Sequence, residues 1–165
     1  MSAKGVAHSE PGAALEPAYI ELLRELCEHT IVFNQTLGLT LDSASADRVR
    51  VRLPMRPELI GHPQHHRMHG GVISATLDVV GGLVVMAAIG DRHRDEPPAA
   101  RMARFAKLGT IDLRVDYLRP ATAAHFYAEG EILRLGGRVA TTRMGFHDAT
   151  TGVMLSAGTA SYIVS

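Results

Sequence analysis

The chain has 165 residues, of which 46% are hydrophobic, so one domain can bury a stable core without a disulfide or a structural metal ion. Its seventeen basic and seventeen acidic side chains cancel, which argues against nucleic acid or an anionic membrane as a partner. Cys27 is the only cysteine, which excludes an intrachain disulfide and a cysteine-based zinc site. A single thiol also fits a reducing, cytoplasmic location.

Residues 1–17 predict a flexible N-terminal tail, and residues 18–165 predict one domain. The tail lacks an apolar stretch of signal-peptide length and contains Gly, Pro, Ser and Ala. The domain opens with a predicted amphipathic helix. Its apolar residues recur at spacings of three and four: Tyr19, Leu22, Leu23, Leu26 and Cys27.

A β-hairpin is predicted next. The first strand covers residues 36–41, and the turn is the polar stretch 42–47. In the second strand apolar side chains alternate with arginines, which predicts one buried and one solvent-exposed face; the apolar members are Val49, Val51 and Leu53. The stretch 62–68 is polar and irregular.

The segment 69–89 is apolar almost all round, and Asp78 is its only acidic or basic residue after His69. Its length alone would allow a membrane span, but a central aspartate costs roughly 2.5–3.5 kcal/mol on insertion scales. A buried core helix is therefore predicted. Gly81 and Gly82 would each cost about 1 kcal/mol in a helix relative to alanine, so close packing against a neighbouring element is expected there.

After a charged loop at 91–107, four strands are predicted in succession. Short turns join them, which predicts an antiparallel meander. The central helix is apolar on every side and must be covered by more than one surface. The order therefore predicts an α+β class and a hotdog fold, in which a curved antiparallel sheet wraps around a long helix. The four strands are 111–117, 126–133, 139–146 and 154–163.

The helix start at His69-Gly70-Gly71 and the carboxylate of Asp78 carry the predicted chemistry. The first four N–H groups of a helix lack helical partners, and two glycines leave them unobstructed. Together with the positive end of the helix dipole, they suit an oxyanion or a polarised carbonyl oxygen. A lone carboxylate in apolar surroundings suits a catalytic base.

Within one chain, these two groups cannot act on the same bond. Gly70 and Asp78 are separated by about 12 Å along a regular helix, at 1.5 Å per residue. Two chains with antiparallel central helices would bring each Asp78 to the Gly70 of the other chain. The spacing therefore predicts a dimer with two shared sites.

His-Gly-Gly followed by Asp78, nine positions after His69, resembles the PaaI-like branch of the 4-hydroxybenzoyl-CoA thioesterase superfamily. The resemblance includes Leu59-Ile60-Gly61 and the T-I-D-L-R-V-D-Y-L-R-P strand at 110–120, and spans roughly residues 36–163. It implies an acyl-CoA thioesterase with the hotdog fold, assembled as a tetramer from two dimers. Coenzyme A would be part of the substrate and product, with no other cofactor and no metal.

The resemblance also implies roles for individual residues. The Gly70 N–H would polarise the thioester carbonyl, and Gly71 belongs to the same substrate-binding helix start. Asp78 of the facing subunit would attack the carbonyl or activate water as a general base. His69 would help to place the thioester.

Other candidate substrate-binding residues flank this motif. The family often carries an asparagine shortly before the His-Gly-Gly, where this chain has none. His62 or Gln64 is expected to replace it, because both can donate and accept hydrogen bonds. Arg119 and Arg138 lie at strand ends, where they could contact coenzyme A phosphates.

Several alternatives remain open from the sequence. The missing asparagine favours a module that binds acyl-CoA without turnover. A hotdog hydratase or dehydratase is less favoured, because its usual Asp–His loop motif is absent. Asp78 could have a purely structural role. A metal site among closely spaced histidines is disfavoured, because Pro63 interrupts a helix and no carboxylate or cysteine stands close by; these histidines are His62, His65, His66 and His69.

Overall fold

The apolar segment predicted as a core helix forms one in the computed structural model, which describes residues 13–165. Its N-cap is His69, and it continues one turn beyond the predicted end. The predicted first helix is also confirmed, and it runs on into a π-helical turn at Leu26–Thr30. The helices are α1 (Pro17–Glu25), α2 (Val32–Leu37), α3 (Gly70–Arg92) and α4 (Pro98–Met102).

Two predictions about local structure were wrong. Thr36 and Leu37, predicted in a strand, end α2, because Gly38 at φ 75° caps that helix. The predicted loop 91–107 contains α4 and a 3-10 turn. Pro98 occupies the first turn of α4, where its missing N–H is not needed, so it starts a helix there.

Six strands form one antiparallel sheet in the order β1-β2-β6-β7-β8-β5, and β3 and β4 form a separate hairpin. The sheet packs over α3, which contacts β6 and β7 most closely. These features confirm the predicted α+β hotdog fold. The strands are β1 (Thr40–Ala44), β2 (Arg48–Pro54), β3 (Ile60–His62), β4 (Arg67–Met68), β5 (Gly109–Tyr117), β6 (His125–Leu135), β7 (Val139–Asp148) and β8 (Met154–Ile163).

The predicted four-strand meander is wrong for its first member. β6, β7 and β8 do form a meander, but β5 pairs with β8 at the far edge, and β2 lies beside β6. Arginines on β2 pair across the strands with glutamates on β6, and such cross-strand charge pairs favour this neighbour. Arg48 contacts Glu129 at 2.8 Å and Glu131 at 3.2 Å, and Arg50 contacts Glu129 at 2.6 Å.

α3 is long and apolar enough to cross a membrane by length and composition, yet about two-thirds of its most apolar stretch is buried in the protein. From Leu83 to Gly90 every residue is buried. Elements on several sides cover it, as expected for a helix that is apolar all round. α3 is therefore the core helix of the domain.

Of the predicted tail, residues 1–12 lie outside the described residues. In the part that follows, the backbone carbonyl of Ala13 accepts a hydrogen bond from the Ala46 amide, and Leu15 is buried. Glu16 forms an ion pair with buried Arg101, whose guanidinium lies 4.7 Å from the ring centroid of Tyr19. The described residues before α1 therefore pack against the domain.

Candidate active site

Asp78 is half-buried on the side of α3 that faces the start of β5 and the end of β8. Its Oδ1 accepts hydrogen bonds from the Thr110 hydroxyl at 3.0 Å and from the Tyr162 hydroxyl at 3.2 Å. Within residues 13–165 its other oxygen, Oδ2, has no hydrogen-bond partner. One oxygen is thus held in place while the other is left available.

Tyr162 reaches Asp78 from β8. Its hydroxyl also lies 3.0 Å from the main-chain oxygen of Asp78. Burial, and then the negative charge of Asp78, raise the pKa of the Tyr162 phenol, so the hydroxyl remains a protonated donor. Tyr162 can come this close only because position 81 is glycine: a Cβ on Gly81 would overlap the hydroxyl.

The expected close packing at the two helix glycines is confirmed for Gly81 only. A Cβ on Gly82 would meet Leu108 at 3.6 Å, which is an ordinary van der Waals contact. Gly82 instead forms part of a cavity wall. Because it lacks a side chain, this wall is open beside Asp78.

An apolar cavity of about 260 Å³ adjoins the Asp78 carboxylate. Its walls come from α3, from the region of α2, from the 3-10 turn before β5, and from Tyr162. Among the described residues, the only polar side chain that lines it apart from the Asp78–Thr110–Tyr162 cluster is that of Asn34. The apolar side chains of the wall are Ile31, Phe33, Val79, Leu83, Met86, Phe105 and Leu108.

At the start of α3, the exposed His69 caps the helix with its own ring. Its Nδ1 accepts a hydrogen bond from the Gly71 N–H at 2.9 Å. The Gly70 N–H has no acceptor among residues 13–165. Gly61 packs directly against His69, where a Cβ would come within 2.6 Å of the His69 Cα. The arrangement leaves one helix-start amide, that of Gly70, free to bind a ligand.

A groove of about 380 Å³ runs past Gly70. The Tyr117 hydroxyl donates to the Gly70 carbonyl at 2.8 Å, so the end of β5 is fixed to the start of α3. Arg67 and Arg119 also line this groove. The Arg119 guanidinium is anchored on the main-chain oxygen of Met154 at 2.9 Å. Two cationic side chains therefore accompany the free amide.

Three other predicted residues lie outside this groove. The half-buried His62 stacks on His65, with ring centroids 4.7 Å apart, and Gln64 is exposed in the turn between β3 and β4. Arg138 lies in the β6–β7 turn. The Arg92 guanidinium, in the last turn of α3, bonds the neighbouring Gly136 carbonyl at 2.9 Å, so Arg138 is at the other end of the helix from Gly70.

Within the part of the chain that the structure describes, the apolar cavity and the groove have no lining residue in common. Gly70 and Asp78 lie on one uninterrupted α-helix, and eight residues of such a helix span about 12 Å. The two halves of the candidate site are thus apart within one chain. β5 connects them, because Thr110 near its start touches Asp78 and Tyr117 at its end touches Gly70.

Sequence reasoning did not assign roles to Thr110, Tyr117 or Tyr162. The first two belong to the motif at 110–120, but strict alternation would put them on opposite faces of the strand, and only the register irregularity between Thr110 and Asp112 brings Thr110 to Asp78. Tyr162 stands 84 residues from Asp78 along the chain. Only the pairing order of the strands brings it to the carboxylate.

Comparisons with known proteins agree on one family. Residues 65–155 match the model of the thioesterase superfamily. The medium/long-chain acyl-CoA thioesterase YigI of Escherichia coli K12 is 33% identical over 145 residues, which cover 88% of this chain and 93% of YigI. The matched region contains both α3 and β5.

Solved structures are similar throughout the domain. A Shewanella oneidensis protein related to the thioesterase superfamily is 37% identical, with a TM-score of 0.81, and the match covers 91% of this chain and 99% of that protein. Mouse thioesterase superfamily member 2 gives a TM-score of 0.69 over 88% of this chain and 96% of its own. It is only 19% identical, so it supports the fold alone.

The His69 cap gives a stability prediction. Replacing His69 with alanine should lower the free energy of unfolding by about 1 kcal/mol, because the Gly71 amide loses its acceptor. The matched variant His69→Asn supplies a side-chain oxygen and should stay within a few tenths of a kcal/mol of wild type. Urea denaturation at a fixed protein concentration measures both. Equal losses in the two variants would show that the ring does not act as a cap.

Proposed function

This chain belongs to the thioesterase superfamily, and on that basis we propose that it hydrolyses acyl-CoA thioesters to a free acid and coenzyme A. The observation that carries the proposal is the Asp78 carboxylate, which has one oxygen held by two hydroxyls and the other free beside an apolar cavity. An acyl chain fits such a cavity by its chemistry. A relative named as an acyl-CoA thioesterase at 33% identity supports the same substrate class.

In the proposed reaction, the free Asp78 oxygen takes a proton from water while the water oxygen attacks the thioester carbonyl carbon. The Gly70 N–H of the partner subunit donates to the developing oxyanion. The tetrahedral intermediate collapses, the C–S bond breaks, and the sulfur leaves with the proton returned by Asp78. Direct attack by the carboxylate would give a mixed anhydride that water then hydrolyses to the same products.

The dimensions of the cavity support a medium-length aliphatic chain. Its α3 wall runs from Asp78 to Met86, about 12 Å along the helix axis. An extended chain with 1.52 Å bonds advances about 1.25 Å per carbon, so this length fits roughly ten carbons. The name of the E. coli relative, a medium/long-chain acyl-CoA thioesterase, agrees with that size.

The separation of Gly70 from Asp78 supports a site shared between two subunits. β5 is an edge strand with exposed side chains at Ile111 and Tyr117. It has nine residues, whereas the opposite edge, β1, has five, and each of the two strands has one register irregularity. An unpaired edge of this length is a template for a further strand, and we propose that it pairs with β5 of a second copy.

The charges on β5 are complementary in two antiparallel registers. Asp112, Arg114 and Asp116 are exposed and alternate along the strand, and the Arg114–Asp116 pair at 3.2 Å shows that neighbours in this series share a face. Centring the two-fold axis on Leu113 puts Asp112 opposite Arg114 of the partner subunit, twice. Centring it on Val115 puts Arg114 opposite Asp116 of the partner subunit, also twice, whereas centring it on Arg114 would put like charges opposite one another, which is destabilising. Of the two complementary registers, the one centred on Leu113 is favoured, because it brings Thr110 nearer to Tyr117 of the partner subunit.

The favoured register completes the active site. Because β5 has a register irregularity between Thr110 and Asp112, Thr110 would lie opposite Val115 or Asp116 of the partner subunit, within two residues of the partner's Tyr117. Because Thr110 holds Asp78, and Tyr117 is fixed to Gly70, each carboxylate would then lie near the helix start of the other chain. Arg119 would remain beside that helix start, where it suits a coenzyme A phosphate.

Further parts of the proposal rest on the family resemblance. Two such dimers would form a tetramer, and Arg138 would reach a coenzyme A phosphate only from a different subunit. His62 or Gln64 would take the place of the family's asparagine, and no metal or added cofactor would take part. A cytoplasmic location is supported by the buried, free Cys27 thiol and by the burial of α3.

Replacing Asp78 with asparagine tests the reaction directly. The variant keeps the shape of the side chain but cannot accept the proton, so kcat for acyl-CoA hydrolysis should fall by at least about 100-fold. Release of free thiol measures this, and Asp91→Asn on the same helix is the matched control with near wild-type turnover. Full activity in Asp78→Asn would contradict the assignment. Tight binding of acyl-CoA by the wild-type protein without thiol release would favour a binding module. A change in the absorbance of the substrate's double bond, in place of thiol release, would favour a hydratase.

A charge exchange on β5 tests the proposed interface. Asp112→Arg and Arg114→Asp should each weaken the dimer roughly tenfold, because each places like charges opposite one another. The double variant restores opposite charges and should recover both the dimer and the activity. Sedimentation over a range of concentrations, with thiol release measured in parallel, follows both properties. Folded single variants that remain dimeric, or a double variant that stays dissociated, would rule out this register.

A further inference from the structure

Asn34 in α2 is a polar residue in the wall of the apolar cavity. Its relative exposure is 0%, and it lines the same cavity as Asp78, Leu83 and Met86. The remaining polar side chains of the wall are Asp78, Thr110 and Tyr162, which bond one another. Asn34 is therefore a polar side chain in a mostly apolar wall, and it takes no part in the hydrogen bonds of the Asp78 carboxylate.

The orientation of the Asn34 amide is fixed by its neighbour. Its Nδ2 lies 3.0 Å from the main-chain oxygen of Cys27. A carbonyl oxygen only accepts hydrogen bonds, so the NH₂ end must face Cys27 and the oxygen must face away. Among the described residues, Asn34 Oδ1 is buried without a hydrogen-bond partner. The unpaired group of this cavity-lining residue is thus an acceptor, and it requires a donor.

An unpaired buried acceptor is unfavourable, and a ligand that supplies a donor gains from pairing with it. We propose that Asn34 Oδ1 is a hydroxyl-binding subsite of the acyl cavity, so that the enzyme prefers an acyl-CoA with a hydroxyl at one position along its chain. This proposal rests on the thioesterase function proposed above. A keto or methoxy group at that position brings an oxygen of similar size but no donor, and should not be favoured.

The rest of the cavity makes the preference specific to one position. A hydroxyl placed against Leu83, Met86 or Phe105 would leave water without gaining a partner, which is unfavourable. Moving the hydroxyl along the chain should therefore give one favoured carbon, with slower hydrolysis at the other buried carbons. Decanoyl-CoA is the reference substrate, because its length matches the α3 wall of the cavity.

The test measures kcat/KM of the wild-type enzyme for decanoyl-CoA and for a series of hydroxydecanoyl-CoAs with the hydroxyl moved carbon by carbon. At the favoured carbon, kcat/KM should exceed that for decanoyl-CoA by roughly three- to tenfold. The keto and methoxy analogues at that carbon should lose the gain. Hydrolysis of decanoyl-CoA with no favoured hydroxyl position would overturn this inference alone, whereas no hydrolysis of any acyl-CoA would overturn the proposed function.

The variant Asn34→Leu tests whether the preference for a hydroxylated acyl chain depends on Asn34. It retains the branched shape of the side chain and removes the acceptor, so the ratio of hydroxydecanoyl-CoA to decanoyl-CoA kcat/KM should fall to one or below. Because the ratio compares two substrates on the same variant, loss of the bond to Cys27 affects both equally. Phe33→Leu is the matched change in the same wall, and it should retain the higher kcat/KM at the favoured carbon. If Asn34→Leu folds and still favours the same hydroxylated substrate, Asn34 does not form the subsite. If Asn34→Leu does not fold, the presence or absence of a favoured hydroxyl position in the wild-type series decides whether the inference holds.

Discussion

The rise of an α-helix fixes the distance between the two groups proposed to act on the thioester. Gly70 and Asp78 belong to one continuous helix of 23 residues, so about 12 Å of rigid backbone separates the free amide from the carboxylate. β5 runs beside that helix and is bound to it near both groups, through Thr110 and Tyr117. An antiparallel copy of the same strand reverses this order, which is why pairing two edges would unite the amide of one chain with the carboxylate of another.

The fold holds the carboxylate with hydroxyl groups. Thr110 and Tyr162 share Oδ1 of Asp78, and no ion pair involves Asp78 within residues 13–165. This fixes the rotation of the carboxylate and leaves Oδ2 directed elsewhere. Gly81 makes the arrangement sterically feasible, because any side chain there would displace Tyr162. α3 thus carries Asp78, leaves space for Tyr162 at Gly81, and forms one wall of the apolar cavity.

Much of this could be predicted from the sequence, because it depends on local patterns. The apolar run around Asp78 predicted α3, and helix pitch alone predicted that Gly70 and Asp78 would lie apart. The position of β5 could not be predicted from strand succession, because β2 pairs with β6 and β5 pairs with β8, so strands far apart in the chain are neighbours in the sheet. The roles of Tyr162 and Asn34 depend on tertiary packing, which brings residues distant in sequence to α3.

Mixing two inactive variants tests the shared site most directly. Gly70→Pro removes the proposed oxyanion donor; proline is suited to this first helical position, and His69 at φ −66°, ψ 133° has the extended backbone that precedes proline. Gly70→Ala, which keeps the N–H, is the control. Gly70→Pro and Asp78→Asn should each be inactive alone, but co-refolded in equal amounts they should recover about one quarter of wild-type activity, because half the dimers contain one intact site. No recovery, despite demonstrated mixed dimers, would contradict a site built from two chains.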